Sequence, residues 1–171
     1  MAIAQVPAAL TGGMTLISTT TLTGASVTLS SIPATYNNLY VIVRNVLPAT
    51  DAADFRIRLN ADATASRHGV KGFSDAAGTY TFTDTGLNIS TSNDNATTQS
   101  LSYINIPDYT NTTTWKTCSI VSFSTNSTTP TSYQYRAALG IYNQTSAISS
   151  LSFFVTTGNF TSGTVLLYGV N

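Results

Sequence analysis

The sequence has no glutamate, only two lysines, a single histidine and a single cysteine, and just 8% of its 171 residues are charged. Soluble domains average roughly 25%. Glu and Lys are the residues that normally clothe the polar side of a helix, so their scarcity excludes long helices. Seven Lys and Arg against seven Asp leave a formal net charge of zero and a pI near 6.5. Without clustered cations to release counterions, nucleic acid is not an expected partner. No apolar run approaches the ~18 residues needed to cross a bilayer as a helix, so no membrane partner is expected. The opening Met1-Ala2-Ile3-Ala4-Gln5-Val6-Pro7 lacks the basic-then-apolar order of a secretory signal, and synthesis in the cytoplasm is expected.

The same shortages empty the inventory of reactive groups. Cys118 has no partner for an internal disulfide, and it sits in an alternating stretch that suits a buried small hydrophobe. His68 is the only imidazole, and the Asp residues are scattered with no Asp-x-Asp-x-Asp-Gly loop, so neither zinc nor calcium has a ligand set. No Gly-x-Ser-x-Gly elbow surrounds a serine, and no Gly-x-Gly-x-x-Gly or lysine-containing phosphate loop occurs. Asp51 and Asp54 lie near one another in sequence, as a glycosidase pair can, but solvated loop charges are the better reading of two acids so spaced. No catalytic residue, metal or cofactor is expected, and the chain reads as a non-enzyme.

What the sequence does hold is hydroxyl and amide chemistry: about three residues in ten are Ser or Thr, and Asn is plentiful. Between these polar clusters, short runs of β-branched and aromatic residues recur, which is the rhythm of a sandwich or barrel. Strands are predicted over 14–19, 26–30, 39–46, 54–59, 100–106, 115–124, 133–142, 148–157 and 164–170, with fragments at 79–83 and 87–90. The run 39–46, Leu-Tyr-Val-Ile-Val-Arg-Asn-Val, predicts a central strand covered on both faces. In 54–59, Phe55, Ile57 and Leu59 alternate with Asp54, Arg56 and Arg58, which predicts one apolar and one charged face. Thr23-Gly24-Ala25-Ser26 suits a hairpin turn between the first two strands, and 60–98 reads as a long decorated connection. The expected fold is an all-β antiparallel sandwich, jelly-roll-like, of about ten strands with no long helix: one domain over 14–171, preceded by an extended arm over 1–13.

Candidate contact residues follow from this layout. The arm is small and apolar, with Ile3, Val6 and Leu10 as its larger side chains. Arg56, Arg58, Arg67, His68 and Lys71 form the one local concentration of positive charge, suited either to an acidic partner or simply to a solvated strand face. Tyr80, Tyr109 and Tyr133 fall at strand ends or in loops, where they would anchor an interface, stack on a sugar ring or cap a core. Six Asn-x-Ser/Thr triplets, at Asn88, Asn95, Asn111, Asn126, Asn143 and Asn159, are expected from composition alone in so Asn- and Thr-rich a chain.

The stretch from Thr15 to Ala25, Leu-Ile-Ser-Thr-Thr-Thr-Leu-Thr-Gly within it, followed by Leu29-Ser30-Ser31-Ile32-Pro33-Ala34-Thr35-Tyr36-Asn37-Asn38-Leu39-Tyr40-Val41, resembles the opening of small β-sandwich virion proteins of tailed bacteriophages. Arg58-Leu59-Asn60-Ala61-Asp62 resembles their central strand and turn, and Asn159-Phe160-Thr161-Ser162-Gly163-Thr164 leading into Leu167-Tyr168-Gly169-Val170 resembles their closing signature. The resemblance implies a jelly-roll virion protein, often a homotrimer, acting as capsid decoration or cement or as part of a tail fibre or spike. A bare domain with a short arm suits decoration, with the major capsid protein and copies of itself as partners on the virion surface. The fibre alternative implies a host-surface glycan as ligand.

Overall fold

The computed structural model describes residues 13–72, 82, 85–96, 100–126 and 129–171. Eleven strands run through them, with no helix among the described residues: β1 (Met14–Thr21), β2 (Ser26–Leu29), β3 (Asn38–Pro48), β4 (Ala53–Leu59), β5 (His68–Gly72), β6 (Leu87–Asn93), β7 (Ser100–Pro107), β8 (Lys116–Asn126), β9 (Thr129–Tyr142), β10 (Leu151–Val155) and β11 (Phe160–Val170). All pairings are antiparallel. The expected all-β sandwich is therefore the observed fold class. Residues 1–12 of the expected arm 1–13, and 79–81 and 83 of the expected fragment 79–83, lie outside the described residues.

Two layers account for the pairing. A large sheet runs β1-β11-β3-β7-β8-β9-β5, and a small one runs β6-β4-β10-β2. They join where β6 meets β8 at Asn93 opposite Asn126. Alternation builds the core between them: Leu39, Val41 and Val43 of β3, Ile104 and Ile106 of β7, Ile120 of β8, and Val165 and Leu167 of β11 face Phe55, Ile57 and Leu59 of β4 and Phe153 of β10. Phe55 meets Phe160 edge-on across the layers at 5.9 Å. Gly140 of β9 is a place where only glycine fits, because a Cβ there would lie 2.6 Å from Cys118 Sγ and 2.9 Å from Leu87 Cδ1. One end of the interior is polar instead: Ser122 Oγ donates to the Ile89 carbonyl at 2.6 Å, and Ser90 Oγ donates to Asn93 Oδ1 at 2.8 Å.

Three expectations change. β1 and β2 are not a hairpin; β1 pairs with β11 and β2 with β10, because Gly24, at φ 61°, turns the chain from one layer to the other and bridges to Phe160. The two strands end the pairing path and leave a cleft of about 360 Å³ lined by Ile17, Ser18, Thr28, Leu29, Ile32 and Leu167 among others. The connection over 60–98 contains a strand, β5, that pairs with β9. Finally, β3 is central but not covered on both faces: Leu39, Val41 and Val43 are buried, whereas Tyr40 and Ile42 are only half-buried and Arg44 is exposed.

Candidate interaction surface

Directly opposed residues in antiparallel strands share a face, so the register lays out the outer face of the large sheet as rows. One row is Thr19, Leu166, Ile42, Tyr103, Val121 and Ala137, crossing β1, β11, β3, β7, β8 and β9. The next is Thr21, Thr164, Arg44, Leu101, Phe123 and Tyr135. A third is Leu16, Tyr168, Tyr40, Asn105, Ser119, Leu139 and Lys71, which reaches β5. Together they present Leu16, Leu101, Tyr103, Val121, Phe123, Tyr135 and Leu139 as exposed large hydrophobic side chains on one continuous surface.

Ring contacts order parts of this surface. Tyr40 stacks on Tyr103 at 6.1 Å, and Phe123 stacks on Tyr133 at 5.0 Å, in both cases with planes within about 26°. Burial, helped by the neighbouring Tyr103, pushes the Tyr40 phenol above its ordinary pKa. Trp115, just before β8, is exposed and meets Phe82 edge-on at 5.8 Å. The three rows contain two cations, Arg44 and Lys71, and no carboxylate. Exposed large hydrophobic side chains on four of these strands, β1, β7, β8 and β9, thus share one face with half-buried Tyr40, Ile42, Leu166 and Tyr168, the kind of patch that makes this face the candidate for contact.

The sequence-derived candidates distribute differently from their grouping along the chain. Arg56 and Arg58 point outward from β4 on the small sheet, where Arg56 Nη2 donates to Asp54 Oδ2 at 3.0 Å. Arg58 Cζ lies 3.8 Å above the centre of the Phe154 ring, and its Nε donates to the Thr85 carbonyl at 2.7 Å. Burial, with Arg56 close by, lowers the pKa of Arg58. Arg67 is tied to Asp62 at 2.7 Å, and Asp62 also accepts from the Tyr142 hydroxyl at 2.8 Å and from the Thr64 backbone N–H at 2.9 Å. Burial alone would raise the Asp62 pKa, but these donors hold it well below the usual carboxylate range. His68 points into the core, with its Nε2 accepting from the Leu59 N–H and its ring stacked on Tyr142 at 4.9 Å. Lys71 stands on the opposite layer from Arg56 and Arg58. The basic cluster is therefore dispersed over two layers and a turn.

Tyr133 is exposed and belongs to the apolar surface. Tyr109 does not: it is fully buried, and its hydroxyl donates to the Pro33 carbonyl, so this loop tyrosine is a core plug. Ile3, Val6, Leu10 and Tyr80 lie outside the described residues. Lys116, unremarked in sequence, is buried with its Nζ donating to the Thr114 and Thr145 carbonyls at 2.9 Å each. Burial lowers its pKa against the opposing pull of Asp108. Among the described residues no group of three or more His, Cys, Asp or Glu gathers around a metal-sized site.

No protein-family model matches the chain, and no curated protein matches it. Solved structures of similar outline include the exo-inulinase of Aspergillus awamori (16% identity, TM-score 0.40) and the Caenorhabditis elegans galectin LEC-6 (11%, TM-score 0.39). A third is the Drosophila NLP core, at 11% identity and a TM-score of 0.29. The aligned region covers 91% of this chain but 29% of the inulinase, 93% of this chain and 99% of the galectin, and 90% and 96% for the NLP core.

Proposed function

We propose that the protein is a structural component of a bacteriophage particle, a decoration protein that binds the outer capsid surface and stabilises the head. The observation that carries this reading is the apolar outer face of the large sheet, together with the resemblance of the chain to small virion proteins. Such a component works by burying surface against neighbours, which favours the assembled state by mass action without making or breaking a bond. A chain with no Glu, two Lys, nine Tyr and seven Phe shares with packing surfaces their depletion in Lys and Glu and their use of aromatic side chains. The major capsid protein and further copies of the chain are the partners in this reading.

The test is to compare assembled particles with and without the protein for survival of heat and low salt. Loss of survival in its absence is the expected outcome; unchanged survival would overturn the proposal. A second reading, a tail-fibre subunit that holds host-surface glycans, is favoured by the exposed rings of Trp115 and Tyr135. Binding of the isolated protein to a glycan array, abolished by Trp115→Ala or Tyr135→Ala, would select it over capsid decoration.

A further inference from the structure

We infer that the outer face of the large sheet is covered by another copy of the same chain, with Tyr103, Val121 and Phe123 at the centre of the contact. The inference rests on reading the protein as one that works by packing, but not on its place in a particle.

Size is the first argument. Seven strands separated by ~4.8 Å make the sheet about 29 Å wide, and the eight residue steps from Tyr133 to Ile141 make it about 27 Å tall. The product, a flat area of about 780 Å² for the whole sheet, is of the same order as the ~800 Å² of accessible surface that each partner buries in a standard stable interface. A face much smaller would support only a passing encounter.

Charge is the second. The only charged members of the three rows, Arg44 and Lys71, lie on β3 and β5 with β7, β8 and β9 between them, so the centre offers no ionic group to a charged partner. A phosphate-bearing or strongly acidic ligand would find nothing there to neutralise it. The surface instead demands a partner that is broad, apolar and uncharged, and the one such surface established here is the same face of a second copy. Side-chain relief points the same way: bulky Tyr103, Phe123 and Tyr135 stand beside small Ala137 and Ser119, so rings of one copy have shallow positions to enter on the other. Phe123 and Tyr133 are already stacked, which reduces the rotamer freedom lost on contact.

The experiment is sedimentation of the full-length chain over a wide concentration range, alongside Val121→Glu, Tyr135→Lys and the control Thr157→Glu, whose site is exposed and lies between β10 and β11. Circular dichroism establishes that each variant is folded. The native chain and the control are expected to form a species of two or more copies, whereas a carboxylate at position 121 would be buried unpaired and weaken association about a hundredfold. Tyr135→Lys, at the most exposed ring of the face, supplies the same readout should Val121→Glu fail to fold. A single chain at every concentration would overturn the inference, whether an apolar dye binds it or a segment of its own chain excludes the dye. So would an assembly indifferent to both face substitutions. The particle-survival test is separate: a monomer that still protects shells defeats the inference alone, and an oligomer that does not protect them defeats the capsid role alone.

Discussion

The outer faces of the two layers solve the same problem in opposite ways. On the small sheet, β4 sends out arginines whose long stems lie across their neighbours: Arg58 covers Phe154, which is left only 7% exposed, and Arg56 is held by Asp54. Asn88 Nδ2 also donates to Asp54, and the Thr28 and Ser152 hydroxyls pair at 2.7 Å. The chain thus closes this face with its own side chains. On the large sheet the outward residues are mostly aliphatic, aromatic or small, and its two long charged stems, Arg44 and Lys71, lie on β3 and β5 away from β8, so Phe123 stays 39% and Tyr135 72% exposed. One face is finished within the molecule, and the other leaves apolar side chains exposed.

A matched pair of substitutions would break this contrast most directly. Phe154→Ala should cost about 3 kcal/mol in denaturant unfolding, because it empties a covered site, while Phe123→Ala in the isolated chain should cost less than about 1 kcal/mol. Equal costs would mean that the two faces are alike. Arg58→Ala should cost about 2 kcal/mol, since it uncovers the Phe154 ring and leaves the Thr85 carbonyl without its donor; Arg58→Lys should restore only part of the loss. Next comes acid sensitivity. Because the folded pKa of Asp62 lies below its unfolded value of about 3.9, its contribution is complete above that value and disappears as pH falls through the folded one. Asp62→Asn should lower stability by about 1 kcal/mol at neutral pH and flatten the acid limb of a stability–pH curve, whereas no substitution on the large outer face should alter that limb. The smallest effect belongs to Tyr135→Ala, within about 0.5 kcal/mol for a single chain, as read by thermal unfolding at low concentration.

The strand β4 was legible because its alternation was complete, with Phe55, Ile57 and Leu59 in and Arg56 and Arg58 out. β5 was not, since His68-Gly69-Val70-Lys71-Gly72 is short and carries two glycines, and its pairing with β9 is decided by contacts distant in sequence. The misreading of β3 is more instructive. Apolar residues at both parities of a strand say that both faces avoid water, and they do not say whether the cover comes from the same chain or another. The same signal stands in β7 and β8, where Ile104 and Ile120 point in while Tyr103, Val121 and Phe123 point out. Together those strands would have located the surface of which the basic and loop-tyrosine patterns touched only Lys71 and Tyr133. Tyr109 and Lys116 leave no such trace, because their burial depends on carbonyls of Pro33, Thr114 and Thr145 brought up by the fold.

Cys118 lies beneath this surface on β8, packed so closely against Gly140 of β9 that the strands cannot part without uncovering it. Burial pushes its thiol up to about 12, so a thiol reagent finds almost no thiolate while the sheet is shut. The protein consequently carries its own stopwatch: the labelling rate of this one sulfur clocks how often β8 and β9 breathe apart. Timed at rising protein concentration, it would reveal whether neighbours hold that door closed.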